Sequence, residues 1–239
     1  AMFITQPKNL LLMHDQDDRS IELRTFYKSD TFLPEPRFLS NGHYSVMISN
    51  SGSGYSRWGD LDLTKWVEDP VKDAVGSFYY IRNVYKNKVW SPTFHPCRVK
   101  GDGMKMEFSL GKIAFYRTDG DIHTSMQAIV VPDLDAEIRE ITLCNNGNEP
   151  CLLELTSFLE LSLNHHERFQ SHPVYSKMFI ETEFVSGLDV LLAHRRNDSL
   201  QQPGPYMAHM LNVEGNTIGT LEYETDRSSF IGLGRSLSN

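Results

Sequence analysis

The sequence predicts an all-β protein made of two large, packed antiparallel sheets. Short segments in which apolar and polar residues alternate recur along its 239 residues, and this is the pattern of half-buried strands. Turn signals such as Asp119-Gly120 and Asn146-Gly147 separate these segments. A stretch of useful length with the 3.6-residue period of an amphipathic helix is not evident. Together these observations favour a β-sandwich over a helical or mixed fold.

The first clear strand carries Tyr44, Val46 and Ile48 at alternate positions. Two glycines in residues 50–54 predict a turn after it, because glycine permits backbone angles that a Cβ would block. Residues 55–69 are then predicted to form a loop crowded with aromatic and charged side chains.

Further strands follow in order along the chain. A β-rich run at residues 78–85 and an extended, proline-pinned segment at residues 90–96 precede a meander. The later strands are predicted at residues 104–110, 112–118, 122–131, 138–144, 152–163, 177–184, 188–195 and 206–213. One of them has a clear inward face, formed by Ile122, Thr124, Met126, Ala128 and Val130. The segment at residues 152–163 is predicted to be one strand, longer than most.

The composition argues against several classes of protein. The net charge is −8, and the lysines and arginines are scattered, so the basic footprint of a nucleic-acid-binding protein is missing. No apolar run approaches the roughly 18 residues of a membrane span, and no signal peptide is evident, which favours a cytoplasmic location. Cys97, Cys144 and Cys151 have no metal-ligand spacing and are predicted to be free thiols, although Cys144 and Cys151 could face each other across a hairpin.

The candidate site residues are Tyr55, Ser56, Arg57, Trp58 and Asp60. Flat aromatic faces beside charged hydrogen-bonding groups suit sugar rings, whose C–H faces are apolar and whose hydroxyls are polar. A structural interpretation stays open beside this one. In it, Trp58 and Trp66 seal the end of the sandwich, while Arg57 forms an ion pair with Asp60 or Asp62.

Residues 39–70, LSNGHYSVMISNSGSGYSRWGDLDLTKWVEDP, resemble the opening segment of the glycosyltransferase-36 and glycoside hydrolase family 94 proteins. This family includes the cellobiose and chitobiose phosphorylases. The segment is most similar to the form found in cyclic β-1,2-glucan synthases, where a Gly-rich turn leads into Tyr-Ser-Arg-Trp-x-Asp-Leu. Matching segments also occur at residues 89–92, 155–160, 172–183 and 223–235, so the resemblance covers roughly residues 38–236.

The resemblance implies a β-supersandwich of the galactose mutarotase-like type at residues 38–239, after a lead-in segment at residues 1–37. It also implies that a catalytic (α/α)6 barrel, missing here, carries the catalytic residues of the parent protein. The chain is therefore expected to be a non-catalytic carbohydrate-binding and scaffold domain, excised from a larger enzyme and without a cofactor or metal of its own. The parent would act on β-glucans by phosphorolysis or glycosyl transfer, with inorganic phosphate as a co-substrate, in the cytoplasm or attached to the inner membrane.

The same resemblance implies partners and residue roles. The expected partners are a β-glucan oligosaccharide, the missing barrel, and a second copy of the chain in a homodimer. Arg57 would hold sugar hydroxyls or an anion, Trp58 or Tyr55 would stack on a pyranose face, and Asp60 would orient Arg57.

Other functions remain open from the residues. A stand-alone mutarotase-like enzyme would use a histidine and a glutamate to move a proton on the sugar. Histidines in a suitable segment are His165, His166 and His172. Glu181 and Glu183 could pair for glycoside hydrolysis, but a solvated or structural role is favoured for all of these groups. Asp226-Arg227 is interpreted as an ion pair that fixes the exit strand or docks the barrel. A free carbohydrate-binding module is a further alternative.

Overall fold

The computed structural model describes residues 23–31, 33–64, 75–165, 179–196, 204–232 and 235–238. Within them the chain is almost entirely β, with one five-residue helix, α1 (Arg227–Ile231). The strands are β1 (Arg24–Phe26), β2 (Pro36–Ser40), β3 (Tyr44–Ser49), β4 (Gly54–Trp58), β5 (Leu61–Thr64), β6 (Ser77–Asn83), β7 (Lys88–Trp90), β8 (Gly103–Phe108), β9 (Ile113–Asp119), β10 (Ile122–Val130), β11 (Glu137–Asn145), β12 (Leu153–Leu159), β13 (Leu161–His165), β14 (Ile180–Val185), β15 (Val190–Arg195) and β16 (Tyr206–Met210).

The strands of the described part form four hydrogen-bonded sheets, and every strand pair in them is antiparallel. Sheet A has the order β1-β8-β9-β10-β11, and sheet B has the order β13-β5-β4-β3-β2. Two smaller sheets have the orders β12-β6-β7 (sheet C) and β14-β15-β16 (sheet D). The predicted all-β, antiparallel architecture is therefore confirmed.

The main core lies between sheets A and B. Sheet A contributes Phe108 and Phe115, which are almost fully buried and meet edge to face with ring centroids 6.3 Å apart. Sheet B contributes Val46 and Ile48 from β3, each about 1% exposed. A buried aromatic ring of this kind typically contributes about 3–5 kcal/mol relative to alanine, so this layer dominates the stability of the sandwich.

A second, smaller core lies beneath sheet C. Ile81 from β6 and Trp90 from β7 pack there with Ile122 from β10 of sheet A. The inward face of β10 matches its prediction, since Ile122, Thr124, Met126 and Ala128 are all buried. Strand β10 thus contributes to both cores and joins them.

The predicted strand at residues 152–163 is wrong in one respect, because the structure divides it at Glu160. Strand β12 pairs with β6 in sheet C, whereas β13 pairs with β5 in sheet B. The Glu160 carboxylate accepts a 2.8 Å hydrogen bond from Arg227 of α1. Leucines continue at alternate positions through the break, so their pattern hides the change of sheet.

Residues 90–96 are not extended as predicted. Bends and turns occupy residues 92–98, and the His95–Pro96 peptide is cis. The Thr93 hydroxyl donates a 2.6 Å hydrogen bond to the carbonyl of His95, which closes the turn locally. Within this segment Ser91, Thr93 and His95 are buried.

Part of the segment interpreted as a lead-in contributes to the sheets. Strand β1 pairs with β8, and Pro36 at the start of β2 pairs with Ser49. The proposed boundary at residue 38 thus falls inside β2.

All three cysteines are free thiols, as predicted. Along the described ranges, no helix has the length and apolarity needed to cross a membrane. The interpretations that involve Trp66, His166 and His172 concern positions outside the described residues.

Candidate functional site

The five predicted site residues lie on a β-hairpin, not on a loop. Tyr55, Ser56, Arg57 and Trp58 belong to β4, and Asp60 is in the tight turn to β5. Because successive strand residues point to opposite faces, Tyr55 and Arg57 lie on the outer face of sheet B. Ser56 and Trp58 are directed toward sheet A. The structure therefore separates the predicted constellation into an outer pair, an inner pair and a turn residue.

On the outer face, Arg57 is held by Asp62. Its Nε donates a 2.8 Å hydrogen bond to Asp62 Oδ1, and its guanidinium lies 5.4 Å from the centre of the Tyr55 ring. Asp60 was expected to orient Arg57, but Asp62 does so because it is directly opposite Arg57 in the β4–β5 register. The cation occupies a position over the Tyr55 ring, so Tyr55 is a poor stacking surface for a sugar.

On the inner face, Ser56 binds a buried ion pair. Its hydroxyl donates a 2.6 Å hydrogen bond to Glu137, which also accepts a 3.3 Å bond from the Tyr44 hydroxyl. Glu137 is paired in turn with Arg139 at 3.0 Å, and Arg139 donates to the backbone carbonyl of Ser77. Burial, with the charge of Glu137, raises the pKa of Tyr44 well above its usual range. Ser56 is thus part of a structural polar network.

Trp58 is fixed at its edge and open over much of its surface. The indole Nε1 donates a 2.7 Å hydrogen bond to Asp135, while 46% of the residue remains exposed. Asp135 lies in the β10–β11 turn, and that turn is anchored by Asn41, whose amide donates to the carbonyls of Val131 and Leu134. These hydrogen bonds hold the Trp58 indole in one orientation, with much of the ring exposed.

Three turns meet around this indole. They comprise residues 41–43, 59–60 and 131–136, here called the turn cluster. The backbone N–H of Gly59 donates to the carbonyl of His43, which joins the first two turns. Asp60 is strongly exposed and lies 3.2 Å from the His165 imidazole. The turn cluster therefore presents one aromatic face with carboxylates and a histidine close by.

A sequence profile described as "Glycosyl hydrolase 94, supersandwich domain" matches residues 19–239. The chain belongs to this family. It is 37% identical to the cyclic β-(1,2)-glucan synthase NdvB of Rhizobium meliloti (strain 1021), over 85% of this chain and 7% of the relative. It is 22% identical to the N,N'-diacetylchitobiose phosphorylase of Vibrio furnissii, over 94% of this chain and 27% of the relative. It is 23% identical to the solabiose phosphorylase of Paenibacillus borealis, over 65% of this chain and 19% of the relative.

The supersandwich domain thus spans only a minor part of each of these relatives. The resemblance to cyclic β-1,2-glucan synthases and phosphorylases is confirmed by these matches, and so is the supersandwich fold.

Three other candidate groups of the supersandwich domain, Glu181, Asp226 and Arg227, have structural partners. Glu181 and Glu183 do lie on one face of β14, and Glu181 is paired with His194 at 3.2 Å and with Arg196 at 3.4 Å. The interpretation of Asp226-Arg227 as an ion pair is wrong. Asp226 caps α1 by accepting from the backbone N–H of Ser228, and Arg227 reaches Glu160 instead. Among the described residues, no group of three histidine, cysteine or acidic side chains is arranged to hold a metal ion.

The sequence carries no signal for three residues that hold Trp58 and Ser56, namely Asp135, Glu137 and Arg139. Asp135 is 77 positions from Trp58 along the chain. The predicted strands at residues 122–131 and 138–144 imply only that a connection joins them, and nothing in the sequence indicates which strand lies opposite it. The contacts arise from sheet packing.

Proposed function

We propose that the supersandwich domain is a non-catalytic part of a cyclic β-1,2-glucan synthase-like enzyme. In this role it braces the catalytic (α/α)6 barrel and offers the turn cluster to the glucan substrate. The 37% identity to the Rhizobium meliloti synthase supports the choice of parent enzyme. The observation that carries the sugar contact is Trp58, which is anchored through its N–H yet half open to solvent.

Trp58 suits a sugar better than the other predicted residues do. Its N–H is already bonded to Asp135, so the ring keeps one orientation and loses little entropy when a ligand stacks on it. The carboxylates of Asp60 and Asp135 accept hydrogen bonds from sugar hydroxyls beside the ring. Arg57 is about one-third exposed and bonded to Asp62 on the outer face of the sheet, where it offers a hydrogen-bond donor on the side away from Trp58.

In this role the domain supplies no catalytic group, and the reaction takes place in the barrel. The general acid, and inorganic phosphate where it is used, are assigned to that barrel and not to this domain. Of the enzyme-like groups that the structure describes, His165 is paired with the carboxylate of Asp60 and not with a glutamate. Glu181 does lie beside a histidine, His194, but Arg196 also forms an ion pair with this carboxylate, so we assign the group a structural role. We also propose that the parent enzyme is located in the cytoplasm and forms a homodimer.

The expected affinity is low. One stacked ring with one or two hydrogen bonds supplies roughly 2–4 kcal/mol before the cost of association, which corresponds to dissociation constants in the millimolar range. Tight binding would require additional contacts from the barrel.

A tryptophan-fluorescence titration with β-1,2-linked gluco-oligosaccharides tests the sugar contact. We expect saturable quenching in the wild type and none in Trp58→Phe, because Trp58 is the reporter. Asp135→Asn keeps the indole but weakens its anchor, and should raise the dissociation constant roughly threefold or more.

The matched control is Tyr85→Ala, which removes another exposed aromatic residue, 71% accessible, in the turn between β6 and β7. It should bind like the wild type. A flat wild-type titration up to tens of millimolar, or quenching that persists in Trp58→Phe, would contradict the proposed contact.

A further inference from the structure

The outer face of sheet A carries a shallow groove, on the opposite side of that sheet from the main core. The groove has a volume of about 400 Å³ and runs across four neighbouring strands, β8 to β11. The strand register places its side chains in two rows. One row is Lys105, Tyr116, Ser125 and Thr142; the next is Gly103, Thr118, His123 and Cys144.

Gly103 makes the depression possible. A Cβ at this position would meet no atom within 4 Å, so the missing side chain leaves open space above the strand. The glycine does not have a left-handed φ, so it is not required by the backbone. Its effect on the molecule is to leave the groove open at the β8 end.

The groove offers hydrogen-bonding groups without a net charge. The Lys105 ammonium is paired with the Glu107 carboxylate at 2.6 Å. Within the described part of the chain, the hydroxyls of Ser125 and Thr142 and the imidazole of His123 have no hydrogen-bonding protein partner. These groups can both donate and accept hydrogen bonds. Such groups suit a ligand that carries hydroxyls better than a ligand with a fixed charge.

An aromatic surface stands at one end of the groove. Tyr27, which directly follows β1, is 71% exposed and lines the groove beside Lys105. Tyr116 lies deeper, with the Lys105 ammonium 5.4 Å from its ring centre. Like the surface around Trp58, the groove combines an exposed aromatic ring with polar groups. It differs in lying on sheet A and in being concave.

We propose that this groove is a second carbohydrate site, which binds a short stretch of a neutral gluco-oligosaccharide. Tyr27 stacks on one sugar ring, while Ser125, Thr142 and His123 bond the hydroxyls of the next. The volume falls within the range of small-ligand sites, about 300–1,000 Å³. The choice of glucan as ligand rests on the proposed function, whereas the groove itself does not. A domain with two separate weak sites would hold a long glucan chain more firmly than either site alone.

The test is a residue-resolved NMR titration of the 239-residue chain with β-1,2-linked glucopentaose. Wild-type amide signals of Tyr116, Ser125 and Thr142 should shift and saturate with a millimolar dissociation constant. Gly103→Leu fills the depression from a position with free space above it, and should weaken binding at the groove at least about tenfold. Tyr27→Ala should weaken it as well, which checks the stacking.

The matched control is Gly111→Leu. Gly111 lies in the β8–β9 turn outside the groove and also has open space around a would-be Cβ, so this variant should bind like the wild type. Inorganic phosphate serves as a second probe. Saturable shifts of the same amides with phosphate, and none with glucopentaose, would overturn the assignment to a neutral sugar.

Three outcomes distinguish a sugar site in the groove from the proposed sugar contact at Trp58. Loss of groove shifts in Gly103→Leu, with Trp58 quenching retained, supports a second site. Groove amides that do not respond in the wild type, while Trp58 is quenched, overturn the groove and leave the turn cluster intact. Groove shifts without Trp58 quenching support the groove and overturn the proposed contact at Trp58.

Discussion

At the scale of single residues, a difference of two positions along the chain decides which carboxylate pairs with Arg57. Asp60 and Asp62 are both close in sequence, but only Asp62 is directly opposite Arg57 in the hairpin, with its own side chain just 4% exposed. Asp60 sits in the turn and faces His165. The closeness of these residues in the sequence predicts an ion pair with Arg57. The strand register determines that Asp62, and not Asp60, is the partner.

His95 provides a residue-scale prediction about pH. Burial, reinforced by the positive charge of Arg98, lowers the pKa of His95 to about 4. Its Nδ1 is buried without a hydrogen-bond partner. In the unfolded chain the pKa is near 6.5, so between about pH 6.5 and pH 4 the unfolded state binds a proton that the folded state rejects. The contribution to stability is therefore complete above about pH 6.5 and is lost as the pH falls toward 4, by about 3 kcal/mol.

Urea unfolding of the wild type and of His95→Gln at several pH values measures this effect. The difference between their free energies of unfolding should shrink by about 3 kcal/mol from neutral pH to about pH 4. Parallel pH profiles would show that His95 does not titrate in this way. Should the variant fail to fold, NMR titration of the wild-type imidazole gives the same answer, and a normal pKa would contradict the prediction.

At the scale of elements, the sequence predicts strands well wherever the buried face is apolar. Strand β10 is one such case, since its inward residues are hydrophobic apart from Thr124. Strand β4 was taken for a loop because its inward positions are Ser56 and Trp58. Their partners are Glu137 of β11 and Asp135 of the turn before it, 81 and 77 positions later. Polar contacts between sheets leave no period in the sequence, so this part of the site could not be predicted.

Gly54 at the start of β4 gives an element-scale prediction. A Cβ at this position would lie 1.9 Å from the backbone carbonyl oxygen of Met47 on β3. Because a backbone atom cannot move aside as a flexible side chain does, Gly54→Ala must distort the β3–β4 pairing. We expect a loss of at least about 2 kcal/mol in the free energy of unfolding.

Gly103→Ala is the matched control for this change, since Gly103 also begins a strand but has open space around it. There the substitution should leave stability unchanged or raise it by up to about 1 kcal/mol. Equal effects of the two substitutions in urea unfolding would show that close approach to Met47 is not what requires glycine at position 54.

At the scale of the whole molecule, one buried ion pair connects three of the four sheets described. Glu137 and Arg139 lie on β11 of sheet A, with side chains only 14% and 6% exposed. Glu137 binds Ser56 of sheet B, and Arg139 binds the carbonyl of Ser77 in sheet C. The main core borders this junction through Tyr44 and Tyr79, and the ion pair with its hydrogen bonds adds polar contacts that fix how the sheets meet beneath the turn cluster.

The two partners of this pair should be energetically coupled. Removing both should therefore cost less free energy of unfolding than the sum of the two single losses. Arg139→Met leaves the Glu137 carboxylate buried without its cation, and typically such a change costs about 3–5 kcal/mol. Adding Glu137→Gln removes the stranded charge, so the double variant should recover part of that loss. A double-mutant cycle in urea should give a coupling energy of at least about 1 kcal/mol.

The pair Arg82 and Glu154 supplies the comparison, because its side chains are 46% and 53% exposed. Solvent screens such pairs, and their coupling should stay below about 1 kcal/mol. Hydrogen exchange adds a spatial readout, since Arg139→Met should accelerate exchange in β6, which loses the bond at Ser77, more than in β9 at the centre of sheet A. Additive effects in the cycle, or uniform acceleration across the molecule, would mean that hydrophobic packing alone holds sheet C in place.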